Sequence, residues 1–307
     1  MRTSLAISLL LVAACGGGGV GGGGGGGIDA GSGSGSGSGS ASSLVFAVVG
    51  DTRPPSIDDT ANYPSPIIDK IYQDIESATP HPQFAISTGD YQYASTTGSE
   101  QAAQLAKYMS ARSAFDGPLY PAMGNHECTG YTDSNCGTGN PDGTTTNMTA
   151  FLSMMVSPIG ETEPYYAKSI DGGAWTAKIV VVACNAWTTA QNTWLGQQLA
   201  MPTTYTFVVR HESAADMSDT KCSQSQTTID DYPLTLLVVG HTHEYRHVSS
   251  AKEIINGIGG APLTSGTNYG YTIVTRNDDG TLTVATYDYE THKTIDSFTV
   301  KADGTAG

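Results

Sequence analysis

The sequence is short of positive charge and of long apolar runs, and each shortage excludes a class of protein. Its 14 lysine and arginine residues stand against 29 aspartate and glutamate residues, which gives a formal net charge of −15. No basic cluster offsets that charge, so neither nucleic acid nor anionic lipid is expected as the main partner. After residue 15 there is no run of about eighteen consecutive apolar residues, so no later segment is predicted to span a bilayer. An acidic protein can still bind phosphate if bound metal cations invert the local field.

The N-terminus has the pattern of an export signal. A charged start precedes apolar residues 5–14, a run too short to span a membrane as a helix, and small residues precede Cys15. Residues 12–15 resemble the lipobox of bacterial lipoproteins, in which cleavage occurs before the cysteine and its thiol is lipidated. We therefore expect residues 1–15 to be a lipoprotein signal. Cys15 would then anchor the protein at the periplasmic or extracellular face of a bacterial cell envelope. A plain signal peptide or an uncleaved anchor is the alternative.

Composition divides the remaining sequence into three parts. Residues 16–43 are mainly glycine and serine and have almost no apolar side chains to bury, so they are predicted to be a disordered linker. Residues 44–300 can bury one good-sized core and are predicted to form a single domain. Residues 301–307 are left as a C-terminal tail.

Four cysteines remain after Cys15, namely Cys128, Cys136, Cys184 and Cys222. An even number in an exported chain predicts two disulfides, for which three pairings are possible. We favour Cys128–Cys136, because these two flank one short polar loop, which leaves Cys184–Cys222. A cysteine metal site is the alternative, although the spacing matches no zinc template.

Strands and helices alternate along most of the predicted domain. Short runs rich in β-branched and aromatic residues predict buried strands at residues 44–49, 84–88, 119–123, 205–209 and 234–239. Helical spacing of apolar residues predicts helices at residues 66–78, 99–115 and 191–200. This alternation predicts a layered α/β architecture. Further strands with few helices between them are predicted at residues 254–258, 271–275, 281–287 and 294–300, so we expect them to form a second, more antiparallel sheet packed on the first.

Residues able to bind metal follow the predicted strands. Ligands in α/β sheets sit beyond the carboxyl ends of strands, and those positions hold Asp51, Asp90, Asn125, His211, His241 and His243. Two metal ions about 4 Å apart need a carboxylate that reaches both, plus separate oxygen and nitrogen ligands for each. A Gly-Asp pair alone is usually a turn, and a lone histidine is usually structural. Five such sites in one order, each at a strand end, favour a metal centre.

These motifs resemble those of the calcineurin-like metallophosphoesterase superfamily. The matching segments are Gly50-Asp51-Thr52-Arg53, Gly89-Asp90, Gly124-Asn125-His126-Glu127, His211 and Gly240-His241-Thr242-His243. The resemblance implies a four-layer α/β/β/α sandwich of two mixed sheets flanked by helices. It also implies hydrolysis of phosphate esters at a binuclear metal centre.

The first motif departs from the superfamily's usual Asp-x-His, because Arg53 stands where the histidine is expected. Tyr93 follows Asp90 by three residues, and this Gly-Asp-x-x-Tyr pattern resembles the purple acid phosphatase branch, in which the tyrosine binds a ferric ion. The resemblance therefore implies Fe(III) plus a divalent Zn, Mn or Fe ion. A phenol has a pKa near about 10, so only a strongly acidic metal would hold Tyr93 as phenolate at neutral pH. An aromatic lining of the cleft is the alternative for Tyr93, and Tyr91 is expected to face the opposite way.

The resemblance also implies a role for each residue. Asp90 bridges two ligand sets, which are Asp51, Tyr93 and His243 for one metal and Asn125, His211 and His241 for the other. His126 would orient phosphate or protonate the leaving oxygen. Four residues beside the ligands would orient them through hydrogen bonds, namely Glu127, Glu212, Glu244 and Tyr245. Arg53 would grip a phosphate oxygen or, alternatively, form a salt bridge on the cleft rim.

The expected function is hydrolysis of small phosphate monoesters outside the cytoplasm by a metal-bound hydroxide. The expected partners are a small phosphate-ester substrate and, through the lipid anchor alone, a membrane. A phosphodiesterase with the same site is one alternative. A metal- or phosphate-binding lipoprotein without turnover is the other.

Overall fold

Two six-stranded mixed sheets form the centre of the fold in the computed structural model, which describes residues 43–129, 145–215, 217, 220–264 and 266–307. The first sheet has the order β12-β11-β10-β1-β2-β3, with β1 Val45–Val49, β2 Phe84–Ser87, β3 Leu119–Pro121, β10 Gly270–Arg276, β11 Leu282–Asp288 and β12 Thr294–Val300. The second has the order β4-β5-β6-β7-β9-β8, with β4 Tyr166–Asp171, β5 Thr176–Val181, β6 Tyr205–Val209, β7 Leu236–Val239, β8 Tyr245–Val248 and β9 Glu253–Asn256. The strands that carry the predicted motifs run parallel within each sheet, so their carboxyl ends meet at one edge.

The helices lie mainly between these strands in sequence. They are α1 Ser65–Ser77, α2 Glu100–Arg112, α3 His126–Thr129, α4 Thr146–Phe151, α5 Thr189–Ala200 and α6 Thr220–Asp230, with short helical turns at Leu152–Val156, Ser157–Ile159, Cys184–Ala186 and Ser249–Ala251. Helix α5 begins two residues before its predicted start, because the Thr188 side chain accepts a hydrogen bond from the Gln191 backbone N–H and caps the helix there.

The side chains of strand β1 lie in two different apolar layers. Phe46 and Val48 belong to the apolar layer between the sheets, where Phe46 stacks on Phe84 at 5.2 Å and meets Phe207 edge-on at 5.0 Å. The alternate residues of β1 belong to the layer that packs against α1, because successive side chains of a strand point to opposite faces. A run of buried residues on both faces therefore places β1 in the interior.

A third apolar layer covers the outer face of the second sheet. There Val180 and Val208 belong to one cluster with Leu195 of α5 and Ile229 of α6. These three apolar layers lie between four layers of secondary structure, in the order helices, first sheet, second sheet and helices. The predicted four-layer α/β/β/α sandwich of two mixed sheets is thereby confirmed.

The C-terminal strands do not form a sheet of their own, and that part of the prediction is wrong. Strand β10 pairs antiparallel with β1, in the register Val45↔Thr275 to Val48↔Thr272, so β10, β11 and β12 extend the first sheet. Parallel pairing with β2 satisfies one edge of β1 only, and its other edge needs a partner because β1 is buried. The second sheet comes from the middle of the chain and includes the hairpin β4–β5, which the sequence patterns did not reveal.

The predicted disulfide Cys184–Cys222 is confirmed. It joins the turn after β5 to helix α6, with a Cα–Cα distance of 4.6 Å across a sequence separation of 38 residues. Helix α6 is rich in threonine, serine and glutamine and was not predicted; the disulfide ties it to the third apolar layer. The other predicted pairing, Cys128–Cys136, stays a prediction because Cys136 lies outside the described residues.

The N-terminal predictions also fall outside the described part of the chain. Cys15, the signal and nearly all of the linker at residues 16–43 lie there, so they stay predictions. Within the described ranges, no helix combines the length and apolar character needed to cross a membrane.

Candidate metal centre

The polar residues predicted as metal ligands meet where β1, β2, β3, β6 and β7 end. One ligand atom from each of Asp90, His211 and His241 lies within 4.8 Å of the other two, and the same holds for Asp51, Asp90 and His243. Asp90 belongs to both groups. This arrangement has the form that two neighbouring cations with one shared carboxylate require.

Asn125 and His126 lie at the same place. The side-chain oxygen of Asn125 is 3.0 Å from Nε2 of His211, which places it beside the group that contains His241. The backbone N–H of His126 donates to Oδ1 of Asp90 at 3.2 Å. The loop after β3 thus adds an amide oxygen to the donor set and holds the shared carboxylate.

Four of these residues adopt left-handed backbone conformations. The φ angles are 57° at Asp51, 58° at Asp90, 74° at His241 and 52° at His243. Such conformations are uncommon for residues other than glycine and are unfavourable by about 1–3 kcal/mol each, so they persist where the surrounding structure fixes them. Each places a candidate ligand in the turn that follows its strand.

Two backbone carbonyls orient the imidazoles. Nδ1 of His211 lies 2.8 Å from the Thr88 carbonyl, and Nδ1 of His243 lies 2.7 Å from the Pro262 carbonyl. A carbonyl can only accept, so each Nδ1 carries the proton and each Nε2 faces the cluster. Nε2 of His243 is 3.6 Å from Oδ1 of Asp51. Sequence reasoning missed both carbonyls, since a carbonyl carries no residue-type signal.

Charge pairing dominates the centre of the cluster. Burial raises the pKa of the Asp90 carboxyl, but the imidazoles of His211 and His126 outweigh burial and hold it well below its usual range. Burial lowers the pKa of His211, but Asp90, whose Oδ1 is 3.3 Å away, and Asp51 raise it to about 10. Asp90 therefore favours positive charge beside it, as a ligand of a cation must.

Buried Glu127 fastens two of the ligand loops. Its carboxylate accepts hydrogen bonds from the backbone N–H groups of Asp90, Tyr91 and Gln92 at 2.8, 2.8 and 3.2 Å, and from that of Gly124 at 2.8 Å. The prediction that Glu127 orients a neighbouring ligand takes a specific form here. Glu127 binds the backbone on which Asp90 lies rather than a ligand side chain.

The glycine that precedes a ligand is required by close approach in two motifs. A Cβ at Gly124 would overlap with Oδ1 of Asp90, and a Cβ at Gly240 would overlap with Oδ2 of Asp51. The Gly-Asn-His and Gly-His-Thr-His motifs therefore have glycine where another loop's carboxylate passes. Their backbone N–H groups also contribute, since His241 N donates to Oδ2 of Asp51 at 2.9 Å.

Arg53, Tyr93 and His126 lie side by side next to Asp90. The guanidinium of Arg53 lies 4.8 Å from the centre of the Tyr93 ring, and the Tyr93 and His126 rings are 4.4 Å apart. Nε of Arg53 is 3.8 Å from Oδ2 of Asp90, so Arg53 lies within the site and not on its rim. Tyr91 points away as predicted, since its buried hydroxyl donates to the Ala122 carbonyl at 3.0 Å.

The donor set fits metal ions. Carboxylate oxygens, an amide oxygen and neutral imidazole nitrogens suit Zn, Mn and Fe, and the donor atoms of each group are close enough for one ion. The hydrogen bonds from Nδ1 of His211 and His243 are of the kind that metal-binding histidines make.

Comparison with protein families identifies the chain. The model of the calcineurin-like phosphoesterase family matches residues 44–245. The chain belongs to this family. Membership implies a metal-dependent phosphoester hydrolase and confirms the resemblance drawn from the sequence motifs. A comparison with functionally curated proteins gives no match.

Solved structures share the fold of this calcineurin-like phosphoesterase at low sequence identity. A purple acid phosphatase from seeds of yellow lupin (Lupinus luteus) is 19% identical, with a TM-score of 0.63 over 86% of this chain and 55% of that chain. GAP50, the anchor in the inner membrane complex of Plasmodium, is 13% identical, with a TM-score of 0.58 over 85% of this chain and 89% of that one. The chain thus spans about half the length of the lupin enzyme.

Glu127→Gln tests whether the backbone hydrogen bonds maintain the site. A side-chain amide cannot accept all four bonds, so we expect the free energy of unfolding to fall by about 2–4 kcal/mol. Because the Asp90 loop loses its support, metal affinity should fall by about 10- to 100-fold. Thermal unfolding and competition with a chelator measure the two effects. The exposed Glu163 provides the control variant Glu163→Gln; unchanged metal affinity in Glu127→Gln would contradict the assignment.

Proposed function

We propose that this calcineurin-like phosphoesterase hydrolyses small phosphate monoesters outside the cytoplasm at a binuclear metal centre. The observation that carries the proposal is the pair of donor groups that share Asp90. One shared carboxylate between two ligand sets is what a two-metal site needs and what a single structural ion does not. The family match supports the same chemistry.

The proposed ligand sets follow the sequence prediction. Asp90 is shared, and the separate ligands are Asp51, Tyr93 and His243 for one ion and Asn125, His211 and His241 for the other. Two cations held there would supply Lewis acidity, which activates water for in-line attack on phosphorus and offsets charge on the phosphate oxygens. The protein's own residues hold the donors in place before substrate arrives.

His126 has a separate proposed role. It is buried, its Nε2 is 3.7 Å from Oδ2 of Asp90, and it borders the ring of Tyr93. From this position its imidazole can donate a hydrogen bond to a phosphate oxygen or a proton to the leaving oxygen. The hydrogen bond from the His126 backbone N–H to Asp90 and the edge contact with the Tyr93 ring hold the residue at this position.

Two other functions compete with this proposal. A phosphodiesterase would use the same residues, and the choice between the two esters depends on what surrounds the phosphate. A metal- or phosphate-binding lipoprotein without turnover is the second candidate. The two donor groups that share Asp90 and the position of His126 favour an enzyme.

Hydrolysis of nitrophenyl phosphate and of bis-nitrophenyl phosphate tests the function directly. Chelation should abolish turnover, metal return should restore it, and the monoester should be the better substrate. Asp90→Ala should lose activity and metal together, because both ions share that carboxylate. His126→Ala should lower kcat by about 100-fold or more with metal content unchanged. A folded, metal-loaded wild type that hydrolyses neither ester would favour the binding protein, and a better diester rate would favour the phosphodiesterase.

Tyr93 makes the metal identity testable. We propose Fe(III) on the Tyr93 side and divalent Zn, Mn or Fe on the other, because a phenolate at neutral pH needs a strongly acidic metal. The iron-loaded protein should then be purple or pink, and Tyr93→Phe should remove the visible absorption. Tyr91→Phe is the matched control and should keep the colour, since the Tyr91 hydroxyl is bonded in the core. A colourless, fully active enzyme without iron would contradict this assignment.

Lipidation at Cys15 is the proposed basis of location. The motif at residues 12–15 supports attachment to a bacterial cell envelope, on the periplasmic or extracellular face. In a bacterial host, the wild type should incorporate labelled fatty acid and sediment with membranes, and Cys15→Ser should do neither. Persistent membrane attachment of Cys15→Ser would indicate an uncleaved anchor. A wild type that is exported without label would indicate a plain signal peptide.

A further inference from the structure

The guanidinium of Arg53 is positioned in the site with most of its donors unused. Its side chain is 15% exposed, and its place is fixed by the Tyr93 ring and by a hydrogen bond from Nη1 to the Pro54 carbonyl at 3.1 Å. Among contacts of the described residues, Nη1 is the one guanidinium nitrogen with a hydrogen-bond partner, and the buried Nε has none. An arginine that is held this firmly and still has free N–H groups is suited to bind an anion.

Asp90 does not use those donors. Nε of Arg53 is 3.8 Å from Oδ2 of Asp90, whereas a charge-assisted hydrogen bond between such groups is about 2.7–2.9 Å long. The pair is therefore a loose charge contact. If Arg53 served only to fix Asp90, a direct hydrogen bond or a forked pair would be expected.

His126 presents a second unused group beside Arg53. Its Nδ1 is buried and makes no hydrogen bond to any described residue, and its Nε2 is 3.7 Å from the same Oδ2 of Asp90. Arg53 and His126 both contact the ring of Tyr93. A buried polar group without a partner is unfavourable, so two of them at one point indicate a ligand that the protein has evolved to receive.

We propose that Arg53 binds a terminal phosphate oxygen and thereby selects phosphate monoesters over diesters; this inference rests on the proposed function. A monoester carries three unesterified oxygens and two negative charges near neutral pH, whereas a diester carries two such oxygens and one charge. Two cations held by the proposed ligand sets would bind phosphate oxygens that both esters have. Arg53 would then bind the third unesterified oxygen, which only a monoester has. In a diester, the second ester group occupies the position of that oxygen. The arginine at the place of the superfamily's usual histidine thus acts as a substrate-binding residue.

The test compares wild type, Arg53→Lys, Arg53→Gln and the control Arg246→Gln, which removes an equal charge from a partly exposed arginine paired with Glu244. Metal content, hydrolysis of nitrophenyl phosphate and of bis-nitrophenyl phosphate, and calorimetric binding of inorganic phosphate are measured on each metal-loaded protein. We expect Arg53→Gln to lower kcat/KM for the monoester and the affinity for phosphate by about 10- to 100-fold, because a charge-assisted bond is lost. The diester value should change less than about threefold, metal content should stay unchanged, and Arg53→Lys should fall between.

Each other outcome overturns the proposal in a different way. Loss of metal in Arg53→Gln would mean that Arg53 maintains Asp90. An equal loss for both esters would mean that Arg53 does not discriminate between them, and values equal to the Arg246→Gln control would mean that it does not contact substrate. If the wild type hydrolyses neither ester, the proposed function fails. Phosphate binding still tests the role of Arg53, because equal phosphate affinity in wild type and Arg53→Gln would show that Arg53 does not bind phosphate.

Discussion

The position of one carboxylate decides whether this site can exist. Asp90 is common to both groups of ligand atoms, and its left-handed backbone is not what its local sequence favours. Buried Glu127 accepts three backbone N–H groups of the turn that carries Asp90 and a fourth from Gly124, which ties this turn to the loop after β3. These bonds also satisfy a carboxylate that would otherwise be unfavourable in the interior. The Asp90 carboxylate so fixed accepts the backbone N–H of His126 and lies 3.3 Å from Nε2 of His211.

The two sheets contribute different candidate metal ligands. Asp51, Asp90 and Asn125 follow strands of the first sheet, whereas His211, His241 and His243 follow strands of the second. The candidate oxygen donors therefore come from one sheet and the candidate nitrogen donors from the other. The site lies where the two sheets meet. The edge-on contact of Phe46 with Phe207 joins the two sheets and helps keep the two donor sets at a fixed separation, because a close-packed interior deforms little.

Much of the fold and of the ligand set could be predicted from residue patterns, because both depend on local signals. Buried strands that end in Gly-Asp or Gly-His can be recognised in the sequence, and so can the order of the motifs. The pairing of β10 with β1 could not be predicted, since strand order depends on which edge a distant segment reaches. The carbonyls of Thr88 and Pro262 were equally hidden, because every residue has a carbonyl and only the fold selects one. The contact of Arg53 with Tyr93 is likewise tertiary, and the sequence left the role of Arg53 open.

The pairing of β10 with β1 also sets the order of events during synthesis. Strand β1 is among the first parts of the domain to be made, and β10 is among the last, yet they are neighbours in one sheet. The first sheet cannot close until almost the whole chain has emerged, and contacts between such distant segments form slowly. A chain of this topology stays open for most of its synthesis.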